Sequence, residues 1–241
     1  RKPFFSISAV YWPHRLTVRT SPFHGGNTGS NPVGVTILDG GQEFHHLLKP
    51  HYTRILRNGT GSNLERGVAS ELLKASSWFG RVETDLALWE VDEAAFNHLL
   101  PKLQPDYLVI MNALRDQLDR YGEVDTVVQK WHRSLEMVAK KPLIIFNGVD
   151  PNLESLASLK EIKQIPFVFA DHQLKWEGTK ARSTHAGYQA EIKSKHGLGG
   201  NTVKIAYQDK VWQFDLNLAG EYQVYNLTAA LAVVDQLRVI L

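Results

Sequence analysis

The stretch D-Y-L-V-I-M-N-A-L-R-D-Q-L-D-R-Y-G-E-V-D, residues 106–125, carries the strongest information about the fold. Its first part is short and apolar, which is typical of a buried strand. Polar and acidic side chains crowd together directly after that strand, at Asn112, Arg115, Asp116, Gln117 and Asp119. Ligands of open α/β sheets bind beyond the carboxyl ends of the strands, so this cluster predicts a ligand site.

Strand patterns alternate with helical patterns on both sides of this stretch. The predicted strands are residues 33–38, 85–91, 107–111, 143–146 and 167–169. The predicted helices between them are residues 64–74, 93–100 and 124–140. Strands separated by helices of this length are typical of βαβ units. The sequence therefore predicts an α/β fold with a mainly parallel sheet flanked by helices.

The pattern changes after residue 171. Residues 202–218 predict an antiparallel hairpin that turns near Gln208 and Asp209, and residues 221–237 predict an alanine- and leucine-rich helix. No internal repeat is visible. The simplest interpretation is one α/β domain over residues 1–241, with a β-rich excursion at about residues 171–219.

Composition excludes several classes of function. The chain of 241 residues has no cysteine, which excludes disulfides, thiolate catalysis and cysteine-based metal sites. The formal net charge is +2 and basic residues are spread along the chain, so a nucleic-acid partner is not predicted. The aromatic segment at residues 1–13 has no secretory-signal pattern, and we expect a buried strand or helix there. A face that contacts a partner or a membrane surface is the alternative.

Four segments carry a specific resemblance. They are L-W-E-V-D-E-A-A-F at 88–96, N-A-L-R-D-Q-L-D-R-Y-G-E-V-D at 112–125, F-N-G-V-D-P at 146–151 and G-E-Y-Q-V-Y-N-L-T-A-A at 220–230. Together they resemble the central domain of the Mur ligase family. Most members have a histidine at the position of Gln117. A glutamine there is similar to the MurT group, and residues 24–34 and 59–70 also resemble segments of that group. Several motifs in the same order are more specific than one short pattern.

The resemblance implies an ATP-dependent amidation in bacterial cell-wall synthesis. Members of this group phosphorylate the α-carboxylate of D-glutamate in the lipid II stem peptide, and ammonia then attacks the acyl phosphate. The implied cofactors are ATP and Mg²⁺, because the charge of a transferring phosphoryl group needs a cation and positioned donors. The implied partners are a GatD-type class I glutamine amidotransferase subunit and lipid II at the membrane surface. The implied location is the cytoplasm, at the inner face of the membrane.

The resemblance also implies roles for particular residues. Glu90 and Gln117 are expected near Mg²⁺, since a hard cation prefers oxygen ligands. The residues expected to bind the nucleotide are Asn112, Asn147, Asp150 and Asn226. The catalytic residue stays unknown. Structural roles are the alternatives: Glu90 could cap the next helix, Asp150 could form an Asx turn, and Asn226 could be a polar surface position.

The phosphate-binding loop of the family, of the form G-T-N-G-K-T-T, is missing from the sequence. One alignment puts its remnant at residues 38–44, with Gln42 in place of lysine and Glu43 in place of threonine. A second alignment, which we prefer, treats the loop and its helix as missing between about residues 44 and 52. Because of this loss, the alternative function is a catalytically impaired pseudoenzyme or scaffold subunit with the Mur ligase fold.

Two further parts of the family pattern are also missing. Zinc is expected in the family, but its four cysteine ligands, near residues 170–201, are absent. His172, His185 and His196 lie there without the close pair spacing of a zinc site, so no zinc site is predicted. The family's C-terminal domain would follow the helix that contains Asn226, and we expect it to be absent from this chain.

Overall fold

The computed structural model describes residues 5–7, 33–38, 41–59, 63–78, 82–113, 124–169, 187–197, 200–217 and 220–238. The strands in these ranges are β1 (Phe5–Ile7), β2 (Val33–Leu38), β3 (Ile55–Arg57), β4 (Leu86–Glu90), β5 (Tyr107–Ile110), β6 (Leu143–Asn147), β7 (Gln164–Phe169), β8 (Tyr188–Lys195), β9 (Asn201–Tyr207) and β10 (Lys210–Leu216). The helices there are α1 (Gly41–Leu48), α2 (Glu65–Ala75), α3 (Glu93–Leu103), α4 (Val124–Met137), α5 (Glu221–Gln236) and a 3-10 helix (Pro151–Ser158).

The described strands form one sheet in the order β1-β10-β9-β8-β7-β6-β5-β2-β4-β3. In the part of this order that runs from β8 to β3, each strand is parallel to its neighbours. Strand β9 pairs in antiparallel fashion with both β8 and β10. This arrangement confirms the predicted α/β class with a mainly parallel sheet. The β9–β10 hairpin turns at Gln208 and Asp209, where the sequence predicted the turn.

Alternate side chains of the central strands pack against two helical layers. On one face, Ile37 and Val109 join a buried cluster with residues of α1 and α5. On the other face, Trp89 and Ile110 join a cluster with residues of α3, α4 and the 3-10 helix. Residues 227–234 of α5 are all buried, as expected for a helix that is apolar on every side. Across the described residues, no helix has the length and apolar character needed to cross a membrane.

The structure corrects the preferred alignment of residues 38–52. We predicted that the phosphate-binding loop and its helix are missing between about residues 44 and 52. Instead, helix α1 begins at Gly41, close behind β2, and buries Phe44 and Leu48 in the core. Strand β2, which this helix follows in the sequence, lies between β5 and β4 in the parallel part of the sheet. The predicted absence of a helix from about residue 44 is therefore wrong, whereas the residues that correspond to the family's lysine and threonine stay a prediction.

Candidate functional site

The carboxyl ends of the parallel strands meet along one edge of the sheet. Strand β2 lies between β5 and β4, so the direction in which strands are added reverses beside it. Such a switch point is where α/β proteins bind ligands. Glu90 ends β4, Asn112 follows β5, and Asn147 ends β6. The structure therefore brings these three predicted site residues to the same edge of the sheet.

Asn112 and Asn147 are joined directly. Asn147 Nδ2 donates a hydrogen bond to Asn112 Oδ1 at 2.8 Å, and Asn147 Oδ1 accepts one from the backbone N of Val149 at 3.0 Å. Asn147 is buried, whereas Asn112 is partly exposed. This hydrogen bond fixes the carboxyl ends of β5 and β6 relative to each other.

Asp150 connects the segment after β5 to the 3-10 helix. Its Oδ2 accepts a hydrogen bond from Ala113 N at 2.6 Å, and its Oδ1 accepts one from Asn152 N at 2.9 Å. Asn152 Nδ2 donates in turn to Ala113 O at 2.9 Å. Both oxygens of Asp150 therefore accept hydrogen bonds from backbone N–H groups, and the bond from Asn152 N is the Asx turn that was the structural alternative from the sequence. A contact between Asp150 and the nucleotide stays a prediction.

Glu90 lies at the partly buried end of β4. Its backbone N donates to Asn58 Oδ1 at 2.6 Å, and Asn58 Nδ2 donates to Glu90 O at 2.5 Å. Two residues further, Asp92 N donates to Asn63 O at 2.8 Å. The segment that follows β3 thus fixes the backbone from which the Glu90 carboxylate projects.

Asn226 lies in the first half of α5, near the same edge. Strand β10 is parallel to β8 and ends at this edge, and α5 then runs back across the sheet. At its far end, Gln236 O accepts a hydrogen bond at 3.1 Å from Tyr107 Oη, which lies at the amino end of β5. Next to Asn226, the Tyr225 ring contacts Phe169 at the end of β7, with centroids 5.7 Å apart. Burial raises the pKa of the Tyr225 hydroxyl, which keeps that group neutral.

The predicted site residues lie along the edge of the sheet without all touching one another. Strands β4 and β6 are three positions apart, and three spacings of about 4.8 Å separate Glu90 from Asn147 by roughly 14 Å. A ligand that lies along the edge would have to join them. Gln117, and with it Arg115, Asp116 and Asp119, falls outside the described residues.

The metal prediction rests on Glu90 alone among the described residues. Over these ranges, no three histidine, aspartate or glutamate side chains converge on a possible ion position. Proteins usually bind Mg²⁺ through one or two carboxylates together with water and substrate phosphates, and Mg²⁺ binding at Glu90 stays a prediction. Of the three histidines in the region of the zinc ribbon, only His196 is described. Its Nε2 lies 3.0 Å from Ser194 Oγ and 2.9 Å from Thr202 Oγ1.

Sequence reasoning missed Asn58 and Asn152, which support the site. Asn58 follows a strand of only three residues, and its partner Glu90 lies 32 positions further along the chain. Asn152 had a local signal, because F-N-G-V-D-P-N contains an aspartate followed by proline, as at the start of a helix. The signal predicts the 3-10 helix, but the bond from Asn152 to Ala113 depends on the neighbouring strand.

Comparisons with known proteins identify relatives of this chain. The family model described as Mur ligase middle domain matches residues 46–234. The MurT subunit of lipid II isoglutaminyl synthase (glutamine-hydrolyzing) from Streptococcus pneumoniae is 34% identical over 107 residues, which are 44% of this chain and 23% of that protein. The MurT subunit from Staphylococcus aureus is 29% identical over 134 residues, 55% of this chain and 26% of that protein. The matches thus span about a quarter of the length of these relatives.

Solved structures show the same fold. MurF from Acinetobacter baumannii superposes with a TM-score of 0.65 at 17% identity, over 84% of this chain and 41% of that chain. MurF from Thermotoga maritima, determined in complex with ADP, has a TM-score of 0.58 at 15% identity, over 83% of this chain and 42% of that chain. At this level of identity the similarity concerns the fold alone. Together with the family match, it confirms the fold class and the resemblance found in the sequence.

Proposed function

This chain belongs to the Mur ligase family, and we propose that it is a MurT-type subunit that amidates the D-glutamate α-carboxylate of lipid II with consumption of ATP. The main support is the shared edge, where Glu90, Asn112 and Asn147 lie at the carboxyl ends of parallel strands beside the β2–α1 junction. The relatives named as MurT subunits make lipid II the first substrate to test.

The proposed chemistry has two steps, because a carboxylate is a poor electrophile. An oxygen of the α-carboxylate attacks the γ-phosphorus of ATP, the bond to the departing ADP breaks, and an acyl phosphate forms. Ammonia then attacks the carbonyl carbon, phosphate leaves with the electrons of the C–O bond, and the nitrogen loses a proton to give the amide. Positioned donors and cations lower the barrier of the first step by stabilising charge on the transferring phosphoryl group.

Residues of this chain would bind and orient the nucleotide. Glu90 would hold Mg²⁺, which neutralises phosphate charge when it is bound. The Asn112–Asn147 pair would line the nucleotide site, and Asp150 keeps the adjoining backbone in place through its two hydrogen bonds. Asn226 would contact the nucleotide from α5. Gln117 would join the metal site from the segment that follows β5.

Ammonia would come from a second protein. The chain has no cysteine, so it lacks the thiolate with which class I glutaminases hydrolyse glutamine. A GatD-type glutamine amidotransferase subunit is therefore the proposed partner. Lipid II would be met at the membrane surface, because it is a lipid-linked substrate.

A second candidate function is a catalytically impaired subunit that binds or scaffolds. The sequence favours it, since the family's lysine-bearing loop is missing and one alignment places Gln42 and Glu43 where that loop has lysine and threonine. A lysine there would attract the terminal phosphate, whereas the carboxylate of Glu43 would repel it. Nucleotide binding without turnover is what this alternative predicts.

A reconstituted amidation assay tests the proposal. The chain is mixed with a GatD-type glutaminase, lipid II, glutamine, ATP and Mg²⁺, and amidated lipid II and ADP are quantified by mass spectrometry. We expect both products, and we expect Glu90→Ala to abolish both. Glu83→Ala is the matched control, because Glu83 lies before the opposite end of β4 and forms only a surface ion pair with Arg54. Nucleotide binding without either product would favour the scaffold alternative.

A further inference from the structure

Asn58 is a buried polar residue to which the proposed mechanism gives no role. It directly follows the edge strand β3, and only 6% of its surface is exposed. Its amide makes two hydrogen bonds to a single residue: Oδ1 accepts from Glu90 N at 2.6 Å, and Nδ2 donates to Glu90 O at 2.5 Å. A pair of bonds to the N and O of one residue is what a neighbouring strand normally supplies.

The side chain of Asn58 extends the sheet to the point where the candidate metal ligand lies. Strand β4 pairs with β2 as far as Ala87 and with β3 as far as Leu88. The amide of Asn58 then takes the place of a strand backbone at Glu90, two residues further along. Beyond it, Asp92 N donates to Asn63 O at 2.8 Å, so the same segment holds the chain again as it leaves the strand.

We propose that Asn58 is a positioning residue for the metal-binding carboxylate of Glu90. The inference rests on the proposed function, which assigns Glu90 to Mg²⁺. Bonds to both backbone groups of Glu90 fix its peptide planes, and thereby the direction in which its side chain leaves the strand. Mg²⁺ requires nearly ideal octahedral geometry at about 2.0–2.1 Å, so its affinity depends on how firmly that direction is fixed.

A purely structural role is the competing explanation, and the chain supplies a matched control for it. Thr84 is also buried and also links the β3 segment to β4, but at the amino end of the pair. Its Oγ1 lies 2.7 Å from Arg54 O and 2.8 Å from Leu86 O. Loss of either polar side chain should destabilise the β3–β4 pair, whereas only loss of Asn58 should disturb Glu90.

Binding of Mn²⁺ in the presence of a non-hydrolysable ATP analogue separates the two roles without any need for turnover. Free Mn²⁺ is measured by electron paramagnetic resonance for the 241-residue chain and its variants, and each unfolding midpoint is measured by circular dichroism. We expect Asn58→Ala to weaken Mn²⁺ binding by about 10- to 100-fold, the usual effect of removing a group that orients a metal ligand. Thr84→Val should lower the unfolding midpoint and leave the Mn²⁺ affinity unchanged.

Two further variants complete the test. Asn58→Asp keeps an acceptor for Glu90 N but sets a carboxylate oxygen against Glu90 O, so it should also weaken Mn²⁺ binding. This variant replaces Asn58→Ala in the test if Asn58→Ala does not fold. In a Glu90→Gln background, Asn58→Ala should weaken binding no further, because the two residues act on the same ligand.

The outcomes distinguish this inference from the proposed function. If Glu90→Gln loses Mn²⁺ while the Asn58 variants bind it as the wild type does, the positioning role is wrong and the metal site stands. If Asn58→Ala weakens Mn²⁺ binding by the same factor in the Glu90→Gln background as in the wild type, Asn58 does not act through Glu90 and the inference is overturned. If the wild type binds no Mn²⁺ with the nucleotide, the proposed function and the inference both fail.

Discussion

Removal of the Asp150 carboxylate should loosen two segments beside the candidate site at once. Its Oδ2 holds Ala113 N at 2.6 Å, and its Oδ1 caps the 3-10 helix through Asn152 N at 2.9 Å. A hydrogen bond to a charged acceptor contributes about 1.5–3 kcal/mol, and loss of a cap costs about 0.5–2 kcal/mol. We therefore expect Asp150→Ala to lower the free energy of unfolding by about 2–5 kcal/mol.

Thermal and urea unfolding of the variants measure this effect. For a chain of this size, about 3 kcal/mol corresponds to a decrease in Tm of roughly 6–12 °C. Asp150→Asn retains one acceptor oxygen and should lose less. Asp209→Ala, in the exposed β9–β10 turn, removes the same charge and should stay within about 0.5 kcal/mol of the wild type. If Asp150→Ala keeps wild-type stability and only weakens nucleotide binding, the assignment of a structural role is refuted.

Three further perturbations test other parts of the fold. The buried Tyr188 hydroxyl donates to Asp235 Oδ2 at 2.6 Å, so Tyr188→Phe should cost about 1–3 kcal/mol in urea unfolding. Burial and nearby basic groups lower the pKa of His45 below 6.5, so the unfolded chain binds more protons. Stability should therefore fall as the pH drops below about 6.5. The urea midpoint of unfolding should change less between about pH 7.5 and about pH 5 in His45→Gln than in the wild type. A Cβ on Gly200, where φ is +105°, would lie 1.7 Å from Leu216 O, so Gly200→Ala should lower the Tm measured by calorimetry.

Periodicity alone predicts most of the central sheet. Strands such as β2 and β5 are short apolar runs, and α3 and α4 have helical spacing of apolar residues, so the pattern reflects their burial directly. Strand β3 could not be predicted from periodicity, because three residues are too few to show an alternation of apolar and polar side chains. Strand β8 could not be predicted either, because its sequence Y-Q-A-E-I-K-S-K contains several charged residues. Pairing with β9 holds this strand in place.

Helix α1 was missed for a related reason. Gly40 and Gly41 indicate a loop, and an isolated helix of eight residues is not stable by itself. Burial of Phe44 and Leu48 against the core supplies the missing stability, and neither contact can be read from local propensity. Tertiary packing therefore decides the structure of this segment.

The candidate site was predictable wherever it depends on strand ends. Asn112 and Asn147 end neighbouring parallel strands, so their meeting follows from topology once the strands are recognised. The role of Asn58 could not be predicted, because it depends on a side chain that reaches Glu90 across 32 positions. Likewise, the Asx turn at Asp150 was foreseen, but its bond to Ala113 was not.

Isothermal titration calorimetry with Mg-ATP tests most directly whether the carboxyl edge of the sheet is a nucleotide and metal site. The wild-type chain should bind Mg-ATP in the micromolar range, Glu83→Ala should bind it equally well, and Glu90→Ala should show no detectable binding. An absence of binding by the wild type, or the same affinity in Glu90→Ala, would contradict the assignment.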